Sequence, residues 1–220
     1  MARPVTLFTA QWADMPLEAV AGLAASWGYD GLEVACMGDH LDAGRAARDL
    51  NYARQQLTLL SRHGLKVWAI GNPLAGQLVS DPDNDERSDA WAPMNSLAQT
   101  LEVIAEAGRD NLGLVVDFWH LWAGEATTPD DVARLDKNLI YGIHICDGKR
   151  RAPGALWNEG QQRGYLPGEG DIPLRDWVAA VKATGYDGVW SAETYSPRHW
   201  EDDLYDLAAT CRDRVLATIG

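Results

Sequence analysis

GLVVDFWHLW, residues Gly113–Trp122, begins as a buried strand and then stops on a carboxylate, Asp117, with an imidazole, His120, three residues later. The Leu-Val-Val run has the composition of a strand covered on both faces, as in a parallel sheet. Two later stretches end in the same way. LIYGIHI (139–145) carries His144 near its end, and GVWSAE (188–193) closes on Glu193. In parallel α/β proteins the C-terminal strand ends border the open crevice where sites form. Asp117, His144 and Glu193 on neighbouring strands would therefore converge on one point. One imidazole nitrogen and two carboxylates suit Mn²⁺, Co²⁺, Mg²⁺ or catalytic Zn²⁺, with Mn²⁺ the first expectation. Each residue alone has a plainer reading, since a strand-end Asp often caps a helix and a strand His often packs in a core. Three such residues in equivalent places favour a site.

Outward from this stretch, short apolar runs alternate with helical periodicity. VTLFTA (5–10), GLEVA (31–35), LKVWAI (65–70), LGLVVD (112–117), LIYGIHI and GVWSAE read as strands. Helices are expected over 16–28, with Pro16 in the first turn and Gly28 at the stop, and over 45–64, 96–108, 128–135, 172–185 and 199–220. Strand, helix, strand in succession marks a parallel α/β fold. The pattern lapses over 72–95, a polar stretch containing DPDND, where a seventh strand is expected only in DAWAPM (89–94). The acidic DPDNDE run reads as a solvated loop. No linker and no strong internal repeat divides the chain, so 1–220 is expected to be one domain.

The formal net charge of −13 argues against a nucleic-acid backbone or an anionic membrane as partner. No apolar run approaches the ~20 residues of a membrane span, and MARPVTLFTA lacks the apolar core of a secretory signal. Cys36, Cys146 and Cys211 are odd in number and widely spaced, which predicts a reducing, cytoplasmic setting. Ten tryptophans fill cores or line a sugar-binding cleft.

Other residues are candidates by position. If the chain turns helical after Asp117, His120 shares its face and either contacts substrate or orients the site. Arg163 opens RGYLPGEGDIPL (163–174), where Pro-Gly and Gly-Asp fix a turn, and its guanidinium would meet a hydroxyl or carboxylate. Glu33 ends the second strand, and His40 and Asp42 follow it, all three expected as polar contacts at the rim, with Glu33 and His40 binding substrate. Asp147 and Cys146 flank the end of the His144 strand and are weaker candidates.

WGYDGLEVACMGDHLD (27–42), VVDFWH (115–120), IHICDG (143–148), RGYLPGEGDIPL and GYDGVWSAETYS (185–196) together resemble the strand-end motifs of the sugar isomerase/epimerase family with a xylose isomerase-like TIM barrel. The resemblance covers most of the chain apart from about 72–95. It implies a TIM-type (β/α) barrel, here shortened to about six or seven strands. It also implies a divalent metal held by Glu, Asp, His and Glu, of which the last three match Asp117, His144 and Glu193. The first Glu lies in an E-P-x-N-like context, and the matching AWAPMN (90–95) places Ala92 there. In the family the metal acidifies a C–H beside a carbonyl and stabilises an enediolate, while glutamates on opposite faces move the proton. Glu193 would be one of these, with His120 and Arg163 positioning a small sugar or polyol. Glu33, Glu159 or Glu169 would supply the other only if the fold brings it within reach. Two alternatives stand beside isomerisation or epimerisation. One is metal-dependent dehydration of a keto-polyol. The other is a non-catalytic shortened barrel, whose exposed sheet edges self-association would cover.

Overall fold

The computed structural model describes residues 3–71, 96–153, 159–194 and 196–220. Six strands run β1 (Val5–Phe8), β2 (Gly31–Ala35), β3 (Lys66–Gly71), β4 (Leu114–Asp117), β5 (Ile140–Ile145) and β6 (Trp190–Ala192). They form one sheet in the order β3-β2-β1-β6-β5-β4, and every pairing is parallel. The first and last strands lie side by side, Val5 opposite Trp190, which curls the sheet into a barrel wall. The nine helices of the described residues are α1 (Leu17–Trp27), α2 (Ala43–Arg48), α3 (Leu50–Arg62), α4 (Leu97–Ala107), α5 (Phe118–Ala123), α6 (Pro129–Val132), α7 (Glu159–Gln162), α8 (Leu174–Ala183) and α9 (Leu204–Ile219). The parallel α/β reading stands, and among the described residues six strands form the wall of a TIM-type barrel. The expected strand at 89–94 and the loop at 72–95 lie outside the described residues.

Alternation along the strands sorts the two faces of the wall. Val5 and Leu7, Leu32 and Val34, Ile143 and Ile145, and Trp190 and Ala192 are buried in one apolar cluster with Val20 and Ala24 of α1, Trp177 and Val181 of α8, and Ala208 and Cys211 of α9. The alternate residues face the other way, and register aligns Phe8 with Glu33, Asp117 with His144, and His144 with Ser191. Phe118 and Trp119, the two aromatics after Asp117, are buried, Phe118 against Trp177 and Trp190 at 6.0 and 6.1 Å between ring centroids.

Several boundaries differ from the periodicity, each for a local reason. The single helix expected at 45–64 is two, because Asp49 adopts an extended backbone (φ −124°, ψ 92°) and its carboxylate caps α3, accepting from the Asn51 and Tyr52 amides at 3.0 and 3.1 Å. The first strand stops at Phe8, and Thr9–Trp12 form a 3₁₀ turn. The last helix starts at Leu204, capped by Asp203, after a separate 3₁₀ turn at Pro197–His199. At α1 the carboxylate meeting the Leu17 amide comes from Asp39, at 3.1 Å. Gly28 closes α1 as expected, with φ 81°.

Candidate functional site

The strand ends bring three of the sequence candidates together. Asp117 ends β4 and is at once the N-cap of α5, its Oδ1 accepting from the His120 amide at 3.2 Å. The capping oxygen is thereby spoken for, and Oδ2 faces the cluster. His144 Nδ1 lies 3.6 Å from Asp117 Oδ2 and 3.3 Å from Glu193 Oε2. One ligand-type atom from each of Asp117, His144 and Glu193 falls within 4.8 Å of the other two. All three side chains are largely buried.

Two more side chains complete the cluster. Arg163 Nη2 donates to Asp117 Oδ2 at 2.9 Å and to Glu193 Oε2 at 2.6 Å. On the opposite edge of the imidazole, Nε2 of His144 lies 3.0 and 2.9 Å from the two carboxylate oxygens of Glu33. Phe8 stacks on the same ring, centroids 6.0 Å apart. His120, whose side chain is half exposed, reaches inward with Nε2 3.8 Å from Asp117 Oδ2. The helical turn after β4 thus puts His120 on the Asp117 side, as its spacing predicts.

The loop carrying Arg163 is held from two sides. Asp147 is buried, and its carboxylate accepts from the amides of Gly148, Gly168 and Ile172 at 2.8, 2.9 and 3.1 Å. Its backbone also pairs with Tyr165 in both directions. From the other side, buried His199 bonds the Gly164 carbonyl through Nε2 and Asp202 through Nδ1, both at 2.6 Å. Gly164 is required here. Its φ is 76°, and a Cβ would come 2.5 Å from that of Ser196.

Opposed charges set the ionisation of the cluster. Burial alone would raise the Asp117 carboxyl, but His120, Arg163 and His144 hold it well below the ordinary carboxylate range. Burial also acts to raise Glu193, and Arg163 and His144 outweigh it to lower the group. For His144 burial favours the neutral ring, yet Glu193 and the hydrogen bonds with Asp117, Glu193 and Glu33 hold it well above the usual imidazole value. The ring's two nitrogens face only carboxylate oxygens, which accept and cannot donate. The cluster is therefore three carboxylates gathered around an imidazolium and a guanidinium. Its donor set, one imidazole and two carboxylates converging in a buried place that already attracts cations, fits a divalent ion with open positions.

The other candidates lie elsewhere. His40 is fully buried in the wall, its Nδ1 bonded to the Thr9 hydroxyl at 2.9 Å and its Nε2 to the Met15 carbonyl at 2.9 Å. The structure does not bring it to the cluster, and burial lowers its imidazole. Asp42 caps α2, accepting from the Arg45 amide at 2.8 Å. Cys146 is a buried thiol pushed up by burial, which keeps it unreactive. Glu169 pairs with Arg214 at 3.1 Å. The Glu159 side chain and Ala92 lie outside the described residues. Sequence reasoning placed Glu33 at the rim, whereas its carboxylate meets His144 from across the barrel. Its place at a strand end, like Asp117 and Glu193, was the available signal. The clamp role of Asp147 carried no such signal, because its partners are backbone amides of a loop.

A family model described as xylose isomerase-like TIM barrel matches residues 88–214. An inosose isomerase of Halalkalibacterium halodurans is 28% identical over 127 residues, 58% of this chain and 44% of that protein. A 3-dehydroshikimate dehydratase of Pseudomonas aeruginosa is 28% identical over 109 residues, 49% of this chain and 17% of that protein. The chain thus spans less than half the length of these curated relatives. Among solved structures, the IOLI protein crystallised with a zinc atom superposes with a TM-score of 0.68 at 17% identity, over 98% of both chains. That likeness shows the barrel fold, and the family model covers more than half of the chain. The chain belongs to the xylose isomerase-like TIM barrel family.

Proposed function

We propose that this chain is a metal-dependent isomerase or epimerase of a small sugar or polyol, acting through an enediolate, with 1–220 as one barrel domain. The observation that carries the reading is the convergence of Asp117, His144 and Glu193 within 4.8 Å at the C-terminal ends of three adjacent parallel strands. The inosose isomerase relative supports the substrate class. Asp117, His144 and Glu193 would hold the ion, Mn²⁺ foremost, with Co²⁺, Mg²⁺ or Zn²⁺ as alternatives, and the zinc-bound neighbour supports a site for a divalent ion in this fold. Such an ion, when bound, polarises a carbonyl and acidifies the neighbouring C–H.

The protein's own groups do the rest. Glu193 is kept ionised by Arg163, which suits it to take a proton and return it. Arg163 offers donors to substrate oxygens, and half-exposed His120 lines the mouth beside Asp117. Glu33 faces His144 and Glu169 faces Arg214.

The test uses chelator-stripped protein with each ion in turn and a panel of inososes and ketoses in D₂O. Ion-dependent deuterium incorporation beside the carbonyl, lost in Asp117→Ala, is expected. Absence of exchange with every ion and substrate would favour the non-catalytic barrel. The dehydratase relative supports a second reading, dehydration of a keto-polyol. A product one water lighter by mass spectrometry would select it. Self-association belongs to the same proposal, and a clean monomer by light scattering would exclude it.

A further inference from the structure

We infer that Glu33 is a positioning residue, whose carboxylate holds the His144 ring by Nε2 and so aims Nδ1 at Asp117 and Glu193. The inference rests on reading Asp117, His144 and Glu193 as a divalent-ion site. Both oxygens of Glu33 lie within 3.0 Å of Nε2, while Nδ1, on the other edge of the ring, lies 3.3 Å from Glu193 and 3.6 Å from Asp117. A carboxylate only accepts, so Nε2 keeps its proton toward Glu33, and an ion between Asp117 and Glu193 would take the place of the proton on Nδ1. Glu33 comes from β2 and His144 from β5, with β1 and β6 between them in the sheet, so the bond crosses the barrel interior.

The neighbouring residues are shaped to keep this contact. Phe8, in register with Glu33, stacks on the His144 ring and limits its tilt. Gly71 leaves room for the carboxylate, since a Cβ there would meet Glu33 Oε1 at 3.2 Å and the Phe8 ring at 2.5 Å. A ligand histidine whose second nitrogen is held by a carboxylate is fixed in tautomer and orientation and is a stronger base toward the ion. Loss of such a partner typically weakens metal binding about 10–100-fold.

The experiment is calorimetric titration of chelator-stripped protein with Zn²⁺ and Mn²⁺ alone, comparing wild type, Glu33→Ala, Glu33→Gln and Asp117→Ala. It is paired with ¹⁵N-resolved NMR of the His144 ring in the absence of ion. Glu33→Ala is expected to bind about 10–100-fold more weakly. Glu33→Gln, which keeps an acceptor oxygen, should recover most of the loss. The wild type should show a slowly exchanging Nε2 proton that Glu33→Ala lacks. Unchanged affinity in a folded Glu33→Ala, or a wild-type ring with no proton on Nε2, would overturn the inference. Ion binding lost in Asp117→Ala but kept in Glu33→Ala would sink this inference and spare the metal-site reading. If the wild type binds no ion, the functional reading fails, and the Nε2 proton alone decides whether Glu33 holds the ring.

Discussion

Arg163 places one guanidinium nitrogen 2.6 Å from Glu193 Oε2 and 2.9 Å from Asp117 Oδ2, the two oxygens that a divalent ion would need. A guanidinium and an ion cannot both lie against the same oxygens at those distances, because like charges in a buried place repel strongly. Arg163 is thus the counter-ion of the cluster and, on the proposed reading, would compete with an ion for Asp117 and Glu193.

Arg163→Met removes the competitor and leaves two buried carboxylates facing each other. The metal-free variant is expected to be less stable by about 3–5 kcal/mol, the usual consequence of orphaning a buried charge. Its thermal stabilisation by Mn²⁺ or Zn²⁺ should exceed that of the wild type. Equal stabilisation in both proteins would show that Arg163 does not compete.

The pH dependence of the metal-free protein follows from the directions of the shifts. Asp117 and Glu193 are lowered on folding, so their contribution is present above their unfolded values, roughly pH 4, and fades as pH falls through the folded ones. His144 is raised, so its contribution is complete below its unfolded value, roughly pH 6.5, and fades as pH rises through the folded one. Urea unfolding across pH should therefore show an alkaline loss in the wild type that is smaller in His144→Gln. Parallel profiles for the two proteins would contradict the charged ring.

Asp147→Ala removes the acceptor for three loop amides, those of Gly148, Gly168 and Ile172. Buried amides left without partners and the loss of charge-assisted bonds should cost about 2–4 kcal/mol in chemical denaturation. The same variant should bind divalent ions differently from wild type, because the loop that carries Arg163 is no longer held. A stability change within experimental error would show that water replaces the carboxylate.

Asp49→Ala tests why the 45–64 stretch is two helices. Loss of the cap at the Asn51 and Tyr52 amides should cost about 1 kcal/mol, read from urea midpoints, with the cluster chemistry untouched. A cost near zero would mean that packing of α3, and not its cap, sets the break.

Much of this protein is written locally. Gly28 ends α1 because a left-handed residue is needed there, and Ser96 caps α4 by accepting from the Gln99 amide at 3.3 Å, both readable from neighbours in the chain. The apolar runs that become β4, β5 and β6, and the ligand-type residue within one position of each end, were likewise legible as a repeated pattern. What sequence could not show is partnership across the barrel. Glu33 and His144 stand 111 positions apart, His40 meets Thr9 and Met15 in place of the cluster, and Asp147 spends its charge on loop amides. The local pattern determines which residues stand at strand ends, because alternation and burial act over a few residues. Curling of the sheet, which sets Val5 beside Trp190, decides which of those ends face one another, and only the tertiary structure contains that distance.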